Sequence, residues 1–372
     1  MALTFLATLA LLGRAVGASP PGLKHGAPKV PQLSPEKGSS SCWDLKKLTT
    51  LVAFGDSYTD DNRLEYFGSH NGSAPPVGWV NEAKYASASG GRPWPQYVKQ
   101  YSGRTGANLY NYAVSGTVCS NNVTPRTFTT YDFPAVEQYE VPAYIADSEY
   151  FKPDGSKFLI APRDETVYSI WIGTNDLGVY AFSTDSHVAG TTIVDYADCV
   201  YAQLKRVYDN GGRYFVLQNV APLNLAPLYA TPAQGGVAQD NYWPDKPANI
   251  TEISHRMQEQ VALVNNIYKF QTPFIARLSK DFAGAKFAVM DMHGLLTDIY
   301  DHPEQYLNGT APLQVDVAAK KCDLTGQECT VAESLDSFLW YDLHPSEQTD
   351  RVVAREFLEV VRGESRWATY WG

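Results

Sequence analysis

Short apolar runs alternate with amphipathic segments along most of the chain. Strand-like runs occur at residues 48–54, 108–113, 166–172, 213–220 and 286–292. Helical periodicity separates or follows them at residues 94–101, 195–208, 251–282 and 346–361. In the second of these helical segments, Val200, Leu204 and Tyr208 recur at every fourth position. Five strands separated by helices predict an α/β fold in which helices cover both faces of a parallel sheet.

Three longer segments depart from this alternation. They cover residues 60–95, 117–160 and 221–250 and carry many Gly, Pro, Asn and aromatic residues. This composition predicts extended loops, and loops of such length in a compact domain are usually functional. Sites in parallel α/β sheets lie beyond the carboxyl ends of the strands, so we expect the loops to cover a site there.

The N-terminus predicts export from the cell. An apolar run over residues 2–12, followed by small residues at 16–18, is typical of a signal peptide over residues 1–18. The alternative is a buried N-terminal helix, because no Lys or Arg precedes the run. Residues 19–45 are rich in proline and serine and predict a flexible leader, which leaves residues 46–372 as a single domain.

Sequons and cysteines agree with an extracellular location. The sequence contains four candidate N-glycosylation sites at Asn71, Asn122, Asn249 and Asn308. Five cysteines allow at most two disulfide bonds and leave one thiol. Cys322 and Cys329 enclose a Thr-Gly turn and form the best candidate pair, whereas Cys199 lies in a helical pattern where burial alone would account for it. No cysteine spacing resembles a zinc site.

Composition and charge exclude several classes of partner. The chain is 44% hydrophobic with a net charge of -10, which provides for a sizeable core and a negative surface. Such a surface repels phosphate backbones and anionic lipid, which argues against nucleic acid and membrane partners. Beyond the N-terminus no stretch approaches the ~20 apolar residues of a membrane helix. We expect a folded monomer.

A serine follows the first predicted strand. Apolar residues 51–54 lead into Gly55, Asp56 and Ser57, which places a hydroxyl at the carboxyl end of that strand. Such a serine attacks an ester carbonyl when a base removes its proton and N–H groups hold the oxyanion. Alternatively, Ser57 only caps a helix. A chymotrypsin-like site is excluded because Gly-Gly does not follow, and the Gly-x-Ser-x-Gly elbow of α/β-hydrolases is absent from the sequence.

Three further segments strengthen this signal. Gly116 follows the second strand, where the bare backbone of glycine lets an N–H group approach a ligand. Asn175 follows the third strand and offers an amide donor. Asp342 and His344 bring an acid and an imidazole together just before the last predicted helix. Each segment alone reads equally as a turn or a cap, but four in this order, three of them at successive strand ends, favour a hydrolytic site.

These four blocks resemble the GDSL-type hydrolases of the SGNH superfamily, and the similarity covers nearly the whole mature chain. The resemblance implies a flavodoxin-like α/β/α sandwich around a mostly parallel, five-stranded sheet. It implies a nucleophile at Ser57 and a general base at His344, with Asp342 as the acid. It also implies an oxyanion hole made by the N–H groups of Ser57 and Gly116 and the amide of Asn175. No metal or organic cofactor is implied.

The acid block departs from the family pattern. The family places its acid three residues before the histidine, where this chain has Tyr341, whereas Asp342 stands two residues before His344. Residues two apart in an extended segment point to the same side, so in one alternative Asp342 reaches the imidazole. In the other it misses, and a backbone carbonyl sets the tautomer. Where the acid matters, its loss costs ~10⁴-fold in kcat.

Segments 48–60, 71–78, 211–229 and 338–350 look most like secreted fungal acetyl esterases of carbohydrate esterase family 16. This resemblance implies removal of acetyl groups from partly acetylated xylo-oligosaccharides or similar sugars, with a small-molecule or oligosaccharide ester as the partner. Four tryptophans in or beside the long loops are candidate sugar platforms, although core packing explains each equally: Trp79, Trp94, Trp171 and Trp243. Two alternatives are a lipolytic member such as a lysophospholipase and an impaired hydrolase that only binds carbohydrate.

Overall fold

The computed structural model describes residues 42–81, 87–104, 106–128 and 131–372. The predicted signal peptide and the predicted leader as far as residue 41 lie outside the described residues. All described residues belong to one compact unit. Within the described ranges, none of the helices has the length and apolar character needed to cross a membrane.

The described chain is built around one six-stranded sheet. Its strands are β1 (Thr50–Gly55), β2 (Asn108–Asn111), β5 (Thr166–Trp171), β6 (Tyr214–Gln218), β7 (Lys286–Met290) and β10 (Ala368–Trp371). Two short antiparallel pairs lie outside the sheet, β3 (Thr127–Phe128) with β4 (Tyr131–Asp132) and β8 (Lys320–Cys322) with β9 (Cys329–Val331). The strand order is β10-β7-β6-β5-β1-β2, and all neighbours are parallel except β10 and β7.

The sheet confirms the predicted α/β class and corrects the number of strands from five to six. The missing strand, β10, is short, half-buried and follows the last helix. It pairs antiparallel with β7 at the edge of the sheet, and only one of its four residues is buried, so no buried apolar run marks it in the sequence. The other five strands lie where the apolar runs predict them. Among these, β1, β5 and β6 are buried along their whole length, which explains why their sequences are mostly apolar.

Helices flank the sheet. They are α1 (Arg63–Ser69), α2 (Trp94–Tyr101), α3 (Val141–Glu149), α4 (Thr174–Leu177), α5 (Ile193–Asp209), α6 (Ile250–Arg277), α7 (Met292–Asp301) and α8 (Glu347–Arg362). A π-helical turn (Val136–Glu140) leads into α3, and 3₁₀ turns lie at Phe182–Thr184, Leu223–Leu225, Pro232–Gln234 and Pro303–Gln305. Helix α2 packs on α8, and α5 packs on α3 and α6.

Local signals explain where the long helices begin and end. Thr192 and Asp195 form a reciprocal capping box at the start of α5. The Ser346 side chain accepts the Thr349 N–H at the start of α8, and Gly363 ends that helix in the left-handed conformation. These caps fix α8 immediately after the segment that carries His344.

Two disulfide bonds tie loops to this frame. Cys322 and Cys329 are bonded across the β8–β9 pair, as predicted. Cys199 of α5 is half-buried and is bonded to Cys119, in the loop that follows Gly116. Sequence spacing held no signal for this pair, because 80 residues separate the two cysteines.

The surface and the start of the packed chain also bear on the sequence predictions. All four sequon asparagines, Asn71, Asn122, Asn249 and Asn308, are exposed. Trp43 lies inside the segment predicted as leader, yet it is buried, packs edge-on against Tyr214 and donates its indole N–H to the Val361 carbonyl at 2.7 Å. The packed chain therefore begins before residue 46.

Candidate active site

Three neighbouring strands present Ser57, Gly116 and Asn175 at one edge of the sheet. Strand β1 lies between β2 and β5, and each of the three candidate residues comes from the segment that follows one of these strands. Because the three strands are parallel, their carboxyl ends lie side by side. A single cavity of about 450 Å³ is lined by all three residues and by His344.

A tight turn presents Ser57. The Asp56 carbonyl accepts the N–H groups of Thr59 and Asp60, both at 2.9 Å, and the Asp56 carboxylate accepts the Tyr58 N–H at 3.0 Å. Gly55 is required just before the turn, since a Cβ there would lie 2.3 Å from the Trp171 carbonyl oxygen. Burial raises the pKa of Asp56 to about 6, against the hydrogen bond from Tyr58 and the charge of His344.

His344 joins Ser57 to Asp342. The Nε2 atom of His344 lies 2.7 Å from Ser57 Oγ, and Nδ1 lies 2.5 Å from Asp342 Oδ1. Ser57 and His344 are both buried, with 6% and 4% of their surface exposed. The carboxylate at Nδ1 assigns the proton to that nitrogen, which leaves Nε2 as the acceptor for the serine hydroxyl. This is the arrangement of a nucleophile, a base and an orienting acid.

A bend, not an extended segment, brings Asp342 to the histidine. The Tyr341 N–H donates to the His344 carbonyl at 2.8 Å, which closes the chain around residues 342 and 343. The Asp342 carboxylate also accepts the backbone N–H of His344 at 3.1 Å, the hydrogen bond of an Asx turn. The carboxylate therefore faces Nδ1 despite the shortened spacing, and here it takes the place of the alternative backbone carbonyl.

Polar and aromatic neighbours complete the environment of the acid. Tyr242 donates its hydroxyl to Asp342 at 2.9 Å and turns its ring towards His344, and Lys320 Nζ lies 3.7 Å from the same carboxylate. Burial would raise the pKa of Asp342, but the charge and hydrogen bonds of His344 outweigh it and hold that pKa below its usual value. Asp342 is therefore ionised at neutral pH. Tyr58 fixes the next residue by donating to the Leu343 carbonyl at 2.8 Å.

The two remaining oxyanion candidates share a wall of the cavity. Gly116 has a φ of 88°, in the left-handed region where glycine is favoured. The Asn175 side chain donates one N–H to the Thr117 carbonyl at 2.9 Å, and its oxygen accepts from Arg126 Nη1 at 3.2 Å. A second Asn175 N–H is left for a ligand in the cavity.

Buried carboxylates hold these loops together. Glu140 is fully buried and accepts the N–H groups of Gly55 and Val114, at 3.0 and 3.2 Å, which clasps the ends of β1 and β2. Asp176 is also fully buried and accepts the Cys119 N–H at 3.0 Å and the Thr124 hydroxyl at 2.8 Å. Burial raises the pKa of both carboxyls, to about 7 for Asp176.

Tyrosines, not the candidate tryptophans, line the cavity. Trp94, Trp171 and Trp243 are buried, and Trp79 lines a different cavity, so core packing explains three of the four. The cavity beside Ser57 is lined instead by Tyr180, Tyr229 and Tyr242. The predicted loops do cover this end of the sheet, as they contribute the following lining residues: Leu64, Ala88, Arg126, Phe133, Leu228, Tyr229, Asn241 and Tyr242.

Sequence reasoning missed Arg126, Glu140 and Tyr242. Each is a single side chain in a segment without periodicity, so no pattern marks it. Tyr242 alone had an indirect signal, because it is the immediate neighbour of a tryptophan already considered as a platform.

Comparison with known proteins agrees with the site. A model of the family described as GDSL-like lipase/acylhydrolase matches residues 51–357. The chain is 40% identical over 326 residues to an acetylesterase of Hypocrea jecorina, which covers 86% of this chain and 91% of that protein. It is 23% identical to an acetylesterase of Thermothelomyces thermophilus, over 84% of this chain and 88% of that one.

Among solved structures, an acetylxylan esterase from Geobacillus stearothermophilus aligns over 86% of this chain and 96% of its own, at 13% identity and a TM-score of 0.37. The chain belongs to the GDSL-like lipase/acylhydrolase family, as the four sequence blocks indicated. It is a carboxylic ester hydrolase.

Proposed function

We propose that this protein is a secreted serine esterase that removes acetyl groups from carbohydrates, such as acetylated xylo-oligosaccharides, through an acetyl-serine intermediate. The observation that carries the proposal is the hydrogen-bonded series from Ser57 through His344 to Asp342, which opens into a cavity with Gly116 and Asn175 on its wall. Similarity to two fungal acetylesterases supports the acetyl group as the acyl part.

The first half of the reaction forms the acetyl-serine. His344 Nε2 takes the Ser57 proton, and the alkoxide attacks the acetyl carbonyl. Ionised Asp342 stabilises the imidazolium that forms and keeps the ring in place. The oxyanion accepts from the N–H groups of Ser57 and Gly116 and from the amide of Asn175. Protonated His344 then gives its proton to the sugar oxygen as the ester C–O bond breaks.

The second half returns the enzyme to its starting state. With the sugar gone, water takes its place beside His344, which removes a proton from it as it attacks the acetyl carbonyl. The same three donors hold the second oxyanion. Collapse of this intermediate breaks the bond to Ser57 Oγ, which recovers its proton from His344 and releases acetic acid.

The cavity supports a small acyl group and a sugar. Tyr180 is 47% exposed and Tyr242 half-buried, and both line the cavity, so we propose their rings as faces for a pyranose, while Phe133 lies close to Gly116. Phe133 lies 3.0 Å from the position that a Cβ on Gly116 would take, which leaves little room behind the glycine. The preference for acetyl over a longer acyl chain rests on the similarity to the two acetylesterases.

Acetate release tests the proposal. Acetylated xylo-oligosaccharide is incubated with wild type and with Ser57→Ala, and a long-chain acyl ester is run in parallel. We expect acetate from the wild type alone and little hydrolysis of the long-chain ester. Hydrolysis of only the long-chain ester would instead establish a lipolytic enzyme. No reaction with either ester would contradict the proposal and favour the binding-protein alternative.

Export and glycosylation are part of the same proposal. The apolar N-terminus, two disulfide bonds and four exposed sequon asparagines support a signal peptide at 1–18 and glycans at Asn71, Asn122, Asn249 and Asn308. We expect the secreted protein to begin at Ser19, to lose mass on treatment with an N-glycosidase and to elute as a monomer. N-terminal sequencing, mass spectrometry and size-exclusion chromatography test these three points, and an uncleaved N-terminus would contradict the signal peptide.

A further inference from the structure

One arginine side chain touches two of the three oxyanion candidates. Arg126 Nη1 donates to the Gly116 carbonyl at 2.6 Å and to Asn175 Oδ1 at 3.2 Å. Gly116 follows β2 and Asn175 follows β5, strands that β1 separates in the sheet. A single nitrogen therefore bridges two loops that share no backbone hydrogen-bond ladder. Arg126 also lines the cavity that contains Ser57.

The contacts of Asn175 have a direction. Its Oδ1 faces a donor, the Arg126 guanidinium, and its Nδ2 faces an acceptor, the Thr117 carbonyl at 2.9 Å. If the amide turned by half a rotation, Nδ2 would face the guanidinium and Oδ1 would face the carbonyl. Both contacts would then be repulsive, since a guanidinium has no acceptor and a carbonyl has no donor.

Resting on the function proposed above, we propose that Arg126 is a positioning residue for the oxyanion hole. It holds the amide of Asn175 with Nδ2 towards the reacting carbonyl and anchors the peptide that follows Gly116. A turned amide would present an oxygen to the developing oxyanion, which repels it instead of stabilising it. Oxyanion donors act only when they are aimed in advance, so Arg126 acts on kcat through Asn175.

The charge of Arg126 adds to this effect. Burial lowers the pKa of Arg126, with nearby Tyr229, Asp176 and Asp56 acting in the opposite direction. A guanidinium with so high an ordinary pKa stays protonated at neutral pH. Its positive charge therefore lies beside the two proposed donors and lines the same cavity, where it favours the negative charge that develops during attack.

A double-mutant cycle between Arg126 and Asn175 tests the proposal. The variants are Arg126→Met, Asn175→Ala and their combination, with kcat and KM measured on p-nitrophenyl acetate. We expect Asn175→Ala to lower kcat ~10²–10³-fold and Arg126→Met to lower it ~10–100-fold, with KM within about threefold in both. In the Asn175→Ala background, Arg126→Met should lower kcat by a clearly smaller factor than in the wild-type background, because one of its two targets is gone and only the contact to the Gly116 carbonyl and the charge remain.

Arg206 offers a matched control. Its Nη1 also bridges a backbone carbonyl, that of Glu137 at 2.9 Å, and an amide oxygen, that of Gln203 at 2.8 Å, but outside the cavity. Arg206→Met should leave kcat within about twofold of wild type. Arg126→Lys, which keeps a charged donor, should retain a higher kcat than Arg126→Met. Thermal unfolding of every variant separates loss of fold from loss of positioning.

Equal effects of Arg126→Met in the two backgrounds would overturn the proposal, as would a change in kcat below about threefold in the wild-type background. If Arg126→Met does not fold, the same cycle with Arg126→Leu, which also removes the donor and the charge, decides by the same criteria. If Asn175→Ala alone leaves kcat unchanged, Asn175 is not an oxyanion donor and the proposed function loses this part of its site. If Asn175→Ala lowers kcat but the effects of the two substitutions are additive, the role of Asn175 stands and the positioning role of Arg126 fails.

Discussion

The two halves of the site are held in different ways. Ser57, Gly116 and Asn175 follow three adjacent parallel strands, and buried Glu140 and Asp176 tie their loops together from beneath. Asp342 and His344 lie in one bend, held by a hydrogen bond across it and by contacts from Tyr58 and Tyr242. The strand-end half is a product of sheet register, whereas the bend half is a product of a few local contacts.

This difference shows how the family geometry tolerates a changed spacing. A one-residue shift within a strand would reverse every side chain on it, because side chains alternate between the faces of a sheet. A bend has no such periodicity, so an acid two residues before the histidine can still face Nδ1 when an Asx turn folds it back. The residue spacing of the strand-end half is therefore fixed by the sheet, whereas the spacing between acid and histidine in the bend half can change.

The largest effect should come from breaking the contact between the halves. We expect His344→Ala to lower kcat at least ~10⁴-fold on p-nitrophenyl acetate, because it removes the imidazole that takes the Ser57 proton. Ser57→Ala/His344→Ala should be no worse than either single variant, since the pair acts as a unit. His302→Ala, on an exposed histidine that faces Asp298, is the control. Multiplying losses in the double variant would contradict the hydrogen-bonded pair.

The acid of the bend half should come next. We expect Asp342→Asn to lower kcat ~10³–10⁴-fold, because the amide cannot stabilise imidazolium. Asp336→Asn, on a carboxylate that pairs with Arg351 outside the cavity, is the control for kcat. Retention of kcat within about threefold would show that another group orients His344.

The lowered pKa of Asp342 predicts how the free energy of unfolding depends on pH. Its pKa is lower in the folded chain than its usual value, so its contribution to stability is complete above about pH 4 and is lost as the pH falls further. Urea unfolding of wild type and Asp342→Asn should give free energies whose difference is constant from pH 5 to 7 and smaller near pH 3. A difference that grows towards acid would contradict this sign.

The raised pKa of Asp176, in the strand-end half of the site, predicts a second dependence of stability on pH. Burial raises its folded pKa to about 7, above the unfolded value of about 3.9, so the folded state binds more protons between these limits. The free energy of unfolding should therefore fall as the pH rises from about 4 to 7, by on the order of 3 kcal/mol from this residue. Asp176→Asn should flatten that slope in urea unfolding, whereas Asp154→Asn, on an exposed turn, should not. Parallel slopes for Asp176→Asn and wild type would refute the assignment.

The smallest effect should come from the contacts that surround the bend. We expect Tyr242→Phe to lower kcat ~2- to 10-fold, since it removes one hydrogen bond to Asp342 and leaves the carboxylate in place. Tyr306→Phe removes a comparable hydroxyl–carboxylate bond, to Asp298, away from the cavity and should leave kcat unchanged. Identical kcat values for Tyr242→Phe and wild type would show that the bend does not need this contact.

Sequence reasoning succeeded where a residue follows a buried strand. The apolar residues before Gly55 predict β1, and the order of strand ends then brings Ser57, Gly116 and Asn175 to one edge. It failed where placement depends on distant partners. The Cys119–Cys199 bond and the Arg126 contacts join loops that only the folded chain brings together, and β10 pairs at an edge without a crossover.

The bond between Cys119 and Cys199 has a consequence for recombinant production. It closes a loop of 80 residues, and the lost chain entropy of the unfolded state stabilises the folded state by about 4 kcal/mol. The backbone N–H of Cys119 also donates to the buried carboxylate of Asp176. A bacterial cytosol would keep both thiols reduced, and the loop that follows Gly116 would then lack this covalent restraint. The periplasm or a fungal host supplies the oxidising conditions instead.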